Sequence, residues 1–62
     1  MKPEIKQMID KQINTLWDYG FTFAGIVNNV QGYLTALMDL ELITSDERKN
    51  ELLELEEVLK RE

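Results

Sequence analysis

Residues 16–25 read LWDYGFTFAG and determine where the chain turns. Gly20 is the residue type that most readily adopts the left-handed conformation that ends an α-helix. Thr22, two residues later, carries a side-chain oxygen that can cap the start of the next helix. The stretch therefore predicts two helices joined by a short corner, with Phe21 folding back on Leu16 across the cap.

Apolar residues on both sides of this corner recur at three- and four-residue steps, the period of a helix that packs on one face. Helix 1 is predicted over residues 3–19, because Pro3 suits the first turn, where its missing N–H costs nothing. Its inward residues are Ile5, Met8, Ile9, Ile13 and Leu16. Helix 2 is predicted over residues 23–40, with an apolar arc of Phe23, Ile26, Val27, Val30, Tyr33, Leu34 and Leu37.

A second corner is predicted in residues 40–47, LELITSDE. Glu41 stands where a glycine would be preferred, which predicts a small local strain. Thr44 and Glu47 have the spacing of a capping box. Helix 3 is therefore predicted over residues 45–61. Its inward stripe is Leu52, Leu55 and Leu59, and its solvated side is Glu51, Glu54 and Glu57.

The fold class that follows is all-α: a small three-helix bundle formed by a single domain over residues 1–62. The chain contains no cysteine and no histidine. Disulfides, thiolate nucleophiles and imidazole bases are therefore excluded, as are the commonest metal ligands. Ser45 has no histidine to activate it. We predict a protein that is not an enzyme and uses no cofactor and no metal.

Charge narrows the choice of partner. The net charge is −5 and the sequence pI is about 4.6. Nucleic acids and anionic membranes would repel such a chain, because it gains nothing from neutralising phosphates. We expect neutral or basic protein partners, no nucleic acid and no membrane. The charged N-terminal residues and the lack of cysteine favour a cytoplasmic location.

The middle of the chain is uncharged over twenty residues, from 19 to 38. A surface helix normally carries charge on its outer face, so helix 2 is expected to be covered on both sides. We predict a homodimer with a shared helical core, because a chain this short gains from added core. The predicted interface residues are Gly25, Asn28, Asn29, Gly32 and Ala36.

Three alternatives to the homodimer stay open at this point. A different protein could cover the same face of helix 2, or the chain could be a monomer with an exposed neutral face. Lipid is the third, but Asn28, Asn29 and Gln31 and the acidic flanks argue against insertion.

Four of the five aromatic residues lie between positions 17 and 23. They alternate around Gly20, so they point in different directions and do not line one pocket. The expected role of Tyr19, Phe21 and Phe23 is packing at the corner. Trp17 lies at the edge of the apolar arc of helix 1 and is the candidate partner contact.

These features favour a small, acidic, non-enzymatic protein-interaction module. A compact chain without a cofactor is typical of a regulator or inhibitor that covers a partner's surface, of the kind that phages and mobile elements encode. The alternative is a self-assembling structural subunit that has no separate ligand.

Overall fold

A computed structural model describes the backbone of residues 1–60 and the side chains of residues 1–58. This part of the chain forms three helices and no strand: α1 (Pro3–Asp18), α2 (Phe23–Asp39) and α3 (Ser45–Lys60). The predicted all-α three-helix class is confirmed, and α1 and α2 each end one residue before the predicted position. The predicted inward side chain of Leu59 and the predicted helix end at residue 61 lie outside the described residues.

The first corner has the predicted caps. Gly20 has a φ of 81°. Its N–H donates to the carbonyl of Trp17 at 3.0 Å, and the N–H of Phe21 donates to that of Leu16 at 3.2 Å, which is the Schellman pattern. The hydroxyl oxygen of Thr22 accepts the N–H of Gly25 at 3.1 Å. These bonds satisfy backbone groups that both helix ends would otherwise leave unpaired.

The second corner also follows the prediction. Glu41 takes the left-handed position, with a φ of 62°. Its N–H donates to the Met38 carbonyl, and the Leu42 N–H donates to the Leu37 carbonyl, both at 2.9 Å. The capping box is present: the Thr44 N–H donates to Glu47 Oε1 at 2.8 Å and the Glu47 N–H to Thr44 Oγ1 at 3.1 Å.

The core lies where α2 packs against the other two helices. Its members are Ile5, Ile9, Leu16, Ile26, Val30, Leu34, Leu37, Ile43 and Leu55. Ile43 comes from the second corner and was not among the predicted inward residues. Met8 and Phe23 were predicted to face inward but are exposed, because each lies at the edge of its apolar arc. Helix α2 thus supplies four of these nine core residues, more than either flanking helix.

Candidate functional site

The four aromatic residues of the first corner are all exposed. We call Trp17, Tyr19, Phe21 and Phe23 the aromatic corner. Their exposed fractions range from 40% for Phe23 to 78% for Tyr19. Phe21 packs beside Gly25 within the corner, but none of the four rings is fully buried. One charged residue, Asp18, lies within this segment.

The five predicted interface residues of α2 differ in their surroundings. Asn29 is exposed, and its side-chain oxygen accepts a hydrogen bond from Gln12 of α1 at 3.1 Å. On the other side of α2, Arg48 of α3 donates to Thr35 at 3.1 Å. Between these two bridges lie Asn28, Gly32 and Ala36, all exposed and four residues apart along the helix. We call these three residues the α2 stripe.

The two glycines of α2 differ in what an added side chain would contact. A side chain at Gly25 would place its Cβ 3.3 Å from Thr22 Oγ1 and 3.4 Å from Phe21 Cδ2. The first corner itself therefore favours glycine at position 25, without any partner. A Cβ at Gly32 would meet nothing within 4 Å. A helical glycine costs about 1 kcal/mol relative to alanine, and no contact within the described chain explains that cost at Gly32.

A groove runs between α1 and α3, which flank α2 and run in the same direction. Among the described residues, no Cα atom of α1 comes within 8 Å of a Cα atom of α3. The space between the helices has a volume of about 280 Å³. Its lining residues divide by chemistry: we call the apolar ones, Ile13, Leu55 and Val58, the floor, and the polar ones, Lys6, Asp10, Asn14, Glu51 and Glu54, the rim.

Lys6 bridges the two helices at one end of this groove. Its Nζ lies 2.7 Å from both carboxylate oxygens of Glu51, 3.2 Å from Glu54 Oε2 and 3.6 Å from Asp10 Oδ1. Burial by itself would lower the pKa of Lys6, but the hydrogen bonds to Glu51 and Glu54 and the attraction of Glu51 and Asp10 outweigh it and raise the pKa. Lys6 is therefore held as a paired ammonium and is not poised as a nucleophile or base.

The predicted position of Glu51 on the solvated side is wrong. It was placed on the solvated side of helix 3, but only 8% of its surface is exposed and its carboxylate faces Lys6. The signal that could have located it is its spacing: Glu51 precedes Leu55 by one helical turn, which puts it about 40° from that core residue. Its partner is 45 positions away along the chain, so no local pattern pairs the two.

Three surfaces of the described chain are accessible to another molecule. Within the described chain, no three acidic side chains converge in a way that could hold a metal ion. The buried carboxylate of Glu51 is occupied by an ammonium. What remains accessible is the aromatic corner, the α2 stripe and the α1–α3 groove. Each is a surface that another molecule could cover.

Comparison of the chain with protein-family models, curated proteins and solved structures finds no significant match to any of them. Function must therefore be argued from the surfaces of this molecule alone. Across residues 1–60, no helix combines the length and the apolar character that crossing a bilayer requires.

Proposed function

We propose that this chain is a small, non-enzymatic protein-interaction module, a regulator or inhibitor that acts by binding a protein partner. The observation that supports this most is the exposure of the aromatic corner. Tryptophan and tyrosine dominate binding energy at protein interfaces, because they bury much apolar area at little cost in side-chain entropy. Four exposed rings within seven residues leave apolar area in water, which favours an interaction surface.

The partner is a neutral or basic protein. The chain's net charge of −5 disfavours acidic partners at long range. The aromatic corner contributes almost no charge of its own, so contacts there are apolar with a few hydrogen bonds from Tyr19 and the Trp17 indole. Charge steers the encounter and the aromatic rings supply the affinity.

The test compares matched variants of the full chain as bait in extracts of the cells that encode it, with quantitative crosslinking. Trp17→Ala and Tyr19→Ala remove exposed rings from the aromatic corner. Leu40→Ala, whose side chain is 69% exposed at the opposite end of the molecule, is the control. We expect one crosslinked protein that the parent and the Leu40 variant both capture and that the two aromatic variants lose. Equal capture by all four chains would contradict the proposed function.

A second candidate function is self-association through the α2 stripe, as a homodimer with a shared helical core. Gly32 favours it, because no contact among the described residues explains its exposed and costly position, whereas close approach of a second backbone would use it. Asn28, one turn away, could fix the register by a hydrogen bond across the interface. An ordered assembly larger than a dimer would favour the alternative of a structural subunit without a separate ligand.

Sedimentation velocity over a wide concentration range tests this candidate. We expect a dimer that Gly32→Leu converts to monomer while the helical circular dichroism is retained. Asn50→Leu makes the same kind of change at an exposed helical position of α3 and should leave the dimer intact. A parent chain that stays monomeric at every concentration would rule out the homodimer, and so would a dimer that Gly32→Leu leaves unchanged.

A further inference from the structure

From the shape and charge of the α1–α3 groove, we infer that it binds a basic amphipathic helix of the partner protein. This inference rests on the proposed function and names the chemistry of the partner. It adds a second part to the binding surface, next to the aromatic corner.

The groove has the length of a short helix. Lys6, Ile13 and Trp17 lie on one stripe of α1, because they are separated by seven and then four residues. On α1 the lining residues run from Lys6 to Asn14, about 12 Å along the helix, which corresponds to two turns of a partner helix. Trp17 lies one turn beyond Ile13 on the same stripe but does not line the groove.

The floor of the groove is suited to an apolar helix face. Leu55 is buried at its base, Ile13 is half-buried on the α1 side, and Val58 is 56% exposed on the α3 side. Side chains bridge α1 and α3, but among the residues that the structure describes no Cα atoms of the two helices lie within 8 Å of each other. A partner helix seated between them would become the fourth helix of the bundle. Such a helix would cover Val58 and the rest of the floor.

The rim of the groove selects a basic partner. It holds one ammonium and three carboxylates, a net charge of −2. Glu51 already accepts Lys6 with both oxygens. The side chains of Asp10 and Glu54 are 54% and 65% exposed, so each keeps acceptor positions open to an incoming lysine or arginine. An acidic or neutral helix would leave these carboxylates without a compensating charge.

A second copy of this chain does not fit the same groove. The chain's net charge is −5, and each of its helices is net negative: −1 for α1, −1 for α2 and −3 for α3, whose six carboxylates are offset in part by Arg48, Lys49 and Lys60. Placing any of these helices in a groove with an acidic rim would bring like charges together. The occupant is therefore a different protein that presents lysine or arginine beside an apolar stripe.

The probe is a synthetic helical peptide with a leucine stripe and lysines on its other faces, containing no tryptophan. Trp17 is the only tryptophan of the chain and lies one turn beyond the groove residue Ile13 on the same stripe of α1, so its fluorescence is the probe of binding. We expect saturable binding that added salt weakens. The same peptide with glutamate in place of lysine should not bind.

Charge reversal tests the rim. Glu54→Lys should weaken peptide binding by about tenfold, because an attractive contact becomes a repulsive one. Asp10→Lys makes the same change on the other helix and should have a similar effect. Asp39→Lys alters the net charge equally at an exposed position of α2, away from the groove, and should change binding less than twofold.

A second pair of variants tests the floor. Val58→Ser should weaken binding by about fivefold through lost apolar contact. Leu53→Ser makes a comparable change at a position of α3 that is 52% exposed but does not line the groove, and should have no effect. Circular dichroism confirms for each variant that the helices are retained.

Two results would overturn the inference: no saturable binding to the parent chain, or equal weakening by each groove variant and its control. These results leave the proposed function standing if Trp17→Ala and Tyr19→Ala still abolish capture of the cellular partner. Conversely, if the aromatic variants capture that partner normally, the proposed function fails whatever the peptide does. The two failures are therefore distinguishable.

Discussion

Two corners join the helices of this bundle with the same backbone hydrogen bonds but with different residues. Both close the preceding helix in a Schellman motif; the left-handed residue is Gly20 in the first corner and Glu41 in the second. At the start of the next helix, the second corner has the stronger cap. Thr22 makes a single capping bond, whereas Thr44 and Glu47 exchange two. Each corner thus combines one favourable cap with one weaker cap, so neither depends on a single residue.

The largest effect is expected from removing the favourable cap of the first corner. Gly20→Ala should destabilise the fold by about 1–2 kcal/mol, the cost of a left-handed conformation for a residue with a Cβ. A Cβ there would meet nothing within 4 Å, so the cost is purely conformational. Urea unfolding followed by circular dichroism at fixed protein concentration measures it.

Gly32→Ala is the matched control for that change. It makes the same substitution in open space but in a right-handed helix, and should stabilise the fold by about 1 kcal/mol. Shifts of the same sign in the two variants would show that backbone conformation is not what distinguishes the two glycines.

The next largest loss of stability is expected from removing the N-terminal caps of α2 and α3. Replacing both partners of the capping box, Thr44→Ala with Glu47→Ala, should cost about 1–1.5 kcal/mol, since two backbone N–H groups lose or change their partners. Thr22→Ala removes one bond and should cost about 0.5–1 kcal/mol. Thermal unfolding at one concentration ranks the variants. A larger loss from Thr22→Ala would reverse the ranking of the two N-terminal caps.

Relieving the strain of the second corner should have a smaller effect of opposite sign. Glu41→Gly should stabilise the fold by about 0.5–1 kcal/mol, because glycine adopts a φ near 62° without steric cost but loses more backbone entropy on folding. Glu41→Ala keeps the strain and should leave the unfolding midpoint unchanged. If both variants behave alike, the charge of Glu41 and not its conformation matters at this corner.

Acid should weaken the second corner slightly more than the first. The Met1 ammonium, 2.6 Å from Glu47 Oε2, and the Thr44 N–H lower the pKa of Glu47 below its ordinary value of 4.5. This contribution is complete above that value and is lost as the pH falls through the lower folded pKa.

Glu47→Gln isolates that titration, because the amide can still cap Thr44 but carries no titrating group. We expect its thermal midpoint to fall less than that of the parent chain between pH about 6 and about 3, the range over which a glutamate of ordinary or lowered pKa becomes protonated. Parallel curves for the two proteins would mean that other carboxylates account for the acid sensitivity.

Much of the fold could be predicted because its signals are local. The Schellman motifs, the Thr22 cap and the capping box each involve residues at most five positions apart, so their residue types suffice to predict them. The inward faces of α1 and α2 follow from helical period, apart from edge residues such as Met8 and Phe23. The candidate site was less predictable, since Gly25 has a local explanation and Asn29 accepts a hydrogen bond from α1.

Three helices, both corners and an acidic surface follow from residue types alone, because backbone hydrogen bonding and apolar period act over one or two turns. Packing in three dimensions set how each helix is rotated and how far apart α1 and α3 lie. Those choices turned Glu51 inward to Lys6, left the aromatic corner in water and opened the groove above Leu55. They depend on packing between residues more than 40 positions apart, which no local pattern encodes.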